Sequence, residues 1–325
     1  METIQYRECP YSDSLGNLQN SWEYSRGILT QLNSALSRHF DCEEVTIPVA
    51  GSLGRLEAGT ASDLDFFIVR TDGSSHDEYD YMVKLAGDLK IKLPSPDGVF
   101  TQSISFSSTL ENLGKKDESN AELAQRLLLI LETQPVFNLD FYNKIVDGVL
   151  DKYFYLHKES PGKEMVILIN DLIKYFRHIC VNCQFNFWHE EEKWALRNVK
   201  LRHSRVIMYA GLLFLILNSS KYGINKVDYV KERILLTPLE RIASVISDNA
   251  VDPLPLLEYY DKFIGIINQE TTRRSLIDVD YADRYNNSIY KILKPNSDNL
   301  QAYLTNFVLD MRGKWSNKAF EYLLF

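Results

Sequence analysis

From Asp117 onward, apolar side chains recur at helical spacing almost without a break, and no run alternates as a half-buried strand does. Pro135, Pro161, Pro238, Pro253 and Pro255 punctuate these periods. A proline ends or kinks a helix because it lacks the N–H and crowds the preceding turn. A chain patterned this way has to pack helix on helix over its C-terminal part. The strands it offers all come earlier.

Leu15, Leu18, Trp22, Leu29, Leu32 and Leu36 follow a capping-type Ser12-Asp13 at helical spacing, which predicts an amphipathic helix over 14–39. Residues 45–50 are short and β-branched and predict a strand, though Pro48 cannot donate to a ladder and puts that strand at an edge or an irregularity. A turn-rich stretch over 51–62 leads to a second strand over 64–69. A helix is expected over 76–90 and a third, alternating strand over 98–106. The expected fold class is therefore α+β: a small mixed sheet flanked by helices over 1–140, then an all-helical region over 141–325.

Hydrophobic residues make up 45% and charged residues 25%, and the formal net charge is −8. An acidic balance argues against extended nucleic-acid binding, which needs a basic face to displace counterions. It leaves room for a local pocket with a few cations. Four cysteines, Cys9, Cys42, Cys180 and Cys183, are too few for a disulfide framework, and no basic start followed by an apolar stretch opens the chain. A reducing cytoplasm is expected, with Cys180 and Cys183 on a helix packing face. The most apolar run, residues 206–217, is shorter than the roughly 20 residues that cross a bilayer. It predicts a buried helix and no membrane association.

Chemistry concentrates between residues 51 and 69. Gly51-Ser52-Leu53-Gly54-Arg55 leaves one predicted strand, and Ser62-Asp63-Leu64-Asp65 opens the next. Strand side chains alternate, so Asp63 and Asp65 share a face with their backbones about 7 Å apart. Two such carboxylates suit magnesium, which prefers a few carboxylates plus substrate phosphates to an all-protein cage. Two ions so held stabilise the attacking and leaving oxygens of an in-line displacement. Gly51 lets backbone approach phosphate, Ser52 donates to it, and Arg55 offers a fork. Neither a G-x-G-x-x-G nor a P-loop pattern occurs.

These residues, Gly51-Ser52-Leu53-Gly54-Arg55 with Glu57 and then Ser62-Asp63-Leu64-Asp65, resemble the signature of the DNA polymerase beta superfamily of nucleotidyltransferases. Within it they are similar to the branch of the nitrogen-regulatory protein uridylyltransferases and the nucleotidyltransferase domains often fused to CBS modules. Residues 117–120 and 126–132 resemble the helix that follows the catalytic sheet in that branch. The stretches 170–177 and 200–205 are similar to uncharacterised members. The resemblance implies a nucleotidyltransferase fold with a helical domain covering its cleft. It also implies Mg2+-dependent transfer of a nucleoside monophosphate from a triphosphate such as ATP, releasing pyrophosphate, with Mn2+ as a substitute ion.

The resemblance also implies a third carboxylate from a later strand, which helps ligate the metal and deprotonate the acceptor. No acidic residue lies within 98–106, so Asp97 is the candidate and Glu111 and Asp117 are the fallbacks. Lys200 and Arg205, in a basic cluster with Arg202 ahead of the most apolar helix, are candidates for contact with the triphosphate. Lys174 and Arg177 read as a solvated helix face, and His178, His189 and His203 as ordinary helix residues without metal-ligand spacing. The expected acceptor is a protein side chain or a small molecule. The rival readings are a nucleotide sensor or defence-type partner module, an RNA-end-modifying enzyme, and a second-messenger synthase. A covalently linked HEPN-type ribonuclease half is excluded, because R-x-x-x-x-H occurs at none of the six histidines.

Overall fold

The structure is a computed structural model that describes residues 3–71, 77–93, 104–113, 118–159, 165–189, 193–277 and 279–324. It divides into two units, Met1–Lys152 and Tyr153–Phe325.

The first unit begins with α1 (Gly16–His39), whose Leu18, Trp22, Leu29, Leu32 and Leu36 are all buried, as their spacing predicts. The strands that follow are fragments. They are β1 (Val45–Thr46), β2 (Pro48–Val49), β3 (Val69–Arg70), β4 (Ile104–Ser105) and β5 (Gln134–Pro135). Between them lie α2 (Gly51–Gly54), α3 (Asp77–Asp88), α4 (Phe106–Glu111) and α5 (Asn120–Leu131). β3 is central to one ladder, antiparallel to β1 and parallel to β4, while β2 pairs antiparallel with β5.

This corrects the expected fold class. The chain is 71% helix and 5% strand, a mostly helical protein and not the α+β nucleotidyltransferase fold. The physical reason lies at Pro48 and beyond it. The predicted strand over 45–50 changes partner around Ile47, from β3 to β5, because Pro48 has no N–H to continue the first ladder. The predicted strand over 64–69 joins its neighbours through the single bridges Asp63↔Lys92 and Val49↔Phe66 before β3 begins. Of the predicted third strand, residues 98–103 lie outside the described residues, and the chain turns helical at Phe106. The helix expected over 76–90 is α3.

Trp22, Leu29, Leu32, Val45, Ile47, Val49, Phe66, Ile68, Met82 and Phe137 form the core of this unit. Buried Asn33 ties it together, accepting from the Ile4 amide at 3.1 Å and donating to the Val136 carbonyl at 3.1 Å. α6 (Leu139–Glu159) starts in this unit and ends in the second. The division into two units therefore falls inside that helix. Tyr142, Ile145, Val149 and Leu150 are buried, and the Tyr142 hydroxyl meets Thr133 Oγ1 at 2.9 Å, which keeps the first turns of α6 with the N-terminal elements.

The second unit is helical among its described residues, as expected. It comprises α7 (Val166–His189), α8 (Trp194–Lys200), a π-helical turn (Leu201–Arg205) and α9 (Val206–Ser219). These are followed by α10 (Lys226–Arg233), α11 (Pro238–Asp248), α12 (Leu254–Ile267), α13 (Glu270–Ser275), α14 (Ser288–Asp310) and α15 (Asn317–Leu324). The segment Trp194–Gly223 is long and apolar enough to cross a membrane by length and composition, yet 67% of its most apolar window is buried inside the structure. It is a core helix, as the sequence predicts. Buried Asn218 on α9 donates to the Tyr229 hydroxyl at 2.7 Å and accepts from Asn249 and Trp315 at 3.0 Å each.

His203, in the π-helical turn, is 0% exposed and stacks on Phe263 at 4.2 Å. Its Nδ1 lies 2.9 Å from the Val199 carbonyl and its Nε2 3.2 Å from Asn296 Nδ2. A neutral ring protonated at Nδ1 satisfies both contacts. Burial pushes its pKa down to about 4. The unfolded chain then binds a proton that the folded chain refuses between about pH 6.5 and 4, so stability is complete above that window and falls as pH falls through it. The full loss amounts to about 3 kcal/mol. Urea unfolding at pH 7.5, 5.5 and 4.5 should show this loss in the native chain and a smaller pH slope in His203→Gln.

Candidate functional site

The chain leaves β2 through Ala50, whose amide donates to the Asp65 carbonyl at 2.8 Å, and bends at Gly51, where φ is +65°. α2 follows at once, and Leu56, with φ +59°, turns the chain back so that the Glu57 amide donates to the Ser52 carbonyl at 2.8 Å. Two tight reversals within six residues make a corner. Ser62 closes the loop that leaves it, accepting from the Gly59 amide at 3.1 Å and donating its own amide to the Gly59 carbonyl at 2.9 Å.

At Gly51 the structure brings the two halves of the predicted motif together. A Cβ there would lie 2.3 Å from Asp65 Oδ2. The Asp65 carboxylate fills the space that glycine leaves, so both the positive φ and the close approach require glycine. Leu64 and Phe66 are both 0% exposed, while Asp63 and Asp65 are half-buried. That alternation puts the two carboxylates on one face, as the spacing predicts. Ser52 is half-buried beside them in sequence, after fully buried Gly51.

Arg55 does something other than expected. It is 6% exposed, with Nε 2.8 Å from Glu57 Oε2 and Nη1 2.5 Å from Glu132 Oε2. The fork expected to bind a polyphosphate instead holds the corner to the C-terminal end of α5. The reason is burial: a guanidinium out of water needs fixed carboxylates, and the core supplies them. Gly54 packs under the same end, where a Cβ would lie 2.2 Å from the Glu132 carbonyl oxygen and 2.4 Å from that of Val49.

Of the carboxylate candidates, Asp97 and Asp117 lie outside the described residues, and Glu111 is exposed at the end of α4. Among the described residues, no three His, Cys, Asp or Glu side chains gather as a metal-ligand set. The residue aligned with Asp63 on the neighbouring segment is Lys92, paired through a parallel bridge, with the Leu64 amide donating to the Lys92 carbonyl at 2.7 Å. Sequence reasoning gave Lys92 no place, since Ile91-Lys92-Leu93 carries no motif and its alignment with Asp63 comes from register alone. It also missed the Glu132 partner of Arg55.

Lys200 ends α8 and Arg205 ends the π-helical turn, both in the second unit. Arg202, between them, reaches an anion within that unit, with Nη2 2.5 Å from Asp298 Oδ1 and Nε 2.9 Å from Ser297 Oγ. Lys174 and Arg177 are exposed on α7, in line with a solvated face. Cys180 and Cys183 are half-buried free thiols, their pKa raised chiefly by burial. One hollow in the first unit is lined by Glu43, Asn138, Phe141 and Lys144, none of them a corner residue, and one in the second unit is lined by Phe176, Tyr209, Leu213 and Leu304. Neither gathers a catalytic set.

No protein-family model matches this chain, and no curated protein matches it.

Removing Arg55 leaves two buried carboxylates without their cation. Arg55→Met should cost about 3–5 kcal/mol, and adding Glu57→Gln and Glu132→Gln should restore much of that loss. Denaturant titrations of the three proteins measure both numbers.

Proposed function

We propose that the corner binds a nucleoside triphosphate and transfers its nucleoside monophosphate to a protein side chain or a small molecule, releasing pyrophosphate. The observation that carries this reading is the Asp65 carboxylate seated against Gly51, which joins a Gly-Ser turn to a same-face carboxylate pair. The fit to a divalent cation rests on the donor set. Two half-buried carboxylates suit Mg2+, which completes its shell with phosphate oxygens and water. Bound there, the ion would neutralise charge on the phosphates and orient them for in-line displacement. Asp63 and Asp65 hold it, Gly51 gives the phosphates room, and Ser52 donates to them. Arg55 contributes indirectly by fixing the corner. Lys200 and Arg205 belong to the second unit and have no role in this reading. The reading is of an enzyme acting in a reducing cytoplasm.

A second reading has its own support. Among the described residues no third carboxylate joins Asp63 and Asp65, and a site of this kind without a base for the acceptor binds nucleotide and turns it over slowly or not at all. In that case the chain is a sensor or a partner-binding module.

Incubation with each α-labelled nucleoside triphosphate and Mg2+, following pyrophosphate release and label transfer, separates the two. Transfer that disappears in Asp63→Ala/Asp65→Ala, with the fold retained by circular dichroism, supports the enzyme. Binding without turnover supports the sensor, and transfer that survives the double substitution removes the site. Gly51→Ala pushes the Asp65 carboxylate out of place, and a displacement of about 1 Å costs on the order of a hundredfold in rate. Initial-rate measurements on this variant should show such a drop with the fold intact.

A further inference from the structure

Asp63 and Lys92 are aligned across their parallel bridge, and aligned residues on neighbouring strands send their side chains to the same face. Asp65 shares that face, since Leu64 and Phe66 on either side of it are turned into the core. One ammonium therefore accompanies two carboxylates on one side of the corner. Lys92 is exposed and both aspartates are half-buried, so a ligand has access to all three. Among the described residues no further His, Cys, Asp or Glu joins the pair to make a ligand set.

We propose that Lys92 supplies the second positive centre of this site, so that Asp63 and Asp65 hold one divalent cation, and not two, when a triphosphate binds. The inference rests on the nucleotide reading above. One divalent ion neutralises the two carboxylates. A second would find no carboxylate of its own among the described residues and would sit beside an ammonium that repels it. Magnesium also gives up water reluctantly, so an ion with no protein ligand gains little by entering. An ammonium has three donors for phosphate oxygens and keeps the charge without a metal. Lys92 is thus a substrate-contacting residue that sets the metal count.

The test counts Mn2+ bound per chain by equilibrium dialysis with inorganic tripolyphosphate, which removes any dependence on the base. The native chain should hold one ion, Asp63→Asn/Asp65→Asn none, and Lys92→Asp two. Lys92→Met should keep one ion, bind tripolyphosphate on the order of tenfold more weakly, and bind Mn2+ more tightly when no phosphate is present. Two ions in the native chain overturn the role of Lys92 and leave the nucleotide reading standing. A native chain that holds neither ion nor tripolyphosphate, or one whose ion survives the double asparagine substitution, overturns both. A count that stays at one in Lys92→Asp overturns the role of Lys92 alone.

Discussion

Arg55 forks onto Glu57 through Nε and onto Glu132 through Nη1, and these two carboxylates come from segments far apart in the chain. The loop after α2 and the end of α5 are thereby locked in one relative position. A buried ion pair of this kind adds little net stability over an apolar substitute, because desolvation offsets the attraction. What it adds is direction. Hydrophobic contact would let the corner settle in several ways against α5, whereas a planar fork accepts one. Gly54 makes its near contact with the Val49 and Glu132 carbonyls at the same end of α5, and Asp65 sits against Gly51 at the start of α2.

The second unit solves a related problem with neutral groups. α9 is buried almost all round, so apolar packing alone does not fix its rotation or its register. Asn218 does, because its amide meets Tyr229, Asn249 and Trp315 together and would lose partners if the helix slid by a turn. His203 acts in the same way one turn ahead of α9, held between Val199 and Asn296 on the face of Phe263. Arg202 adds an ionic tie to α14 through Asp298.

How much of this was legible in the sequence depends on distance along the chain. Local periods were readable: α1 lies where apolar spacing puts it, α3 falls within the helix expected over 76–90, and half-buried Asp63 and Asp65 alternate with buried Leu64 and Phe66 as their spacing implies. Partnership was not. Alternation tells which face a residue takes but not which strand it bonds, so a sheet was expected where the chain makes two-residue ladders and single bridges. Arg55 shows the same limit. An arginine after a Gly-Ser turn looks like a phosphate fork until Glu132, 77 positions downstream, is found beside it. Lys92 gains its place from register with Asp63, which no local pattern encodes. The start of α6 shows the same limit, since Tyr142 bonds backward to Thr133 while the helix it belongs to runs forward.

The ladder between β2 and β5 sets Pro48 directly across from Pro135. Neither residue has an amide hydrogen, and both carbonyls are engaged, that of Pro48 by the Phe67 amide at 3.2 Å and that of Pro135 by the Tyr6 hydroxyl at 2.8 Å. The pair is buried, so any backbone group left over here would have no water to turn to. None is left over: there is no donor, and both acceptors are taken. The residue that broke the expected sheet leaves nothing unsatisfied at the point where it breaks it.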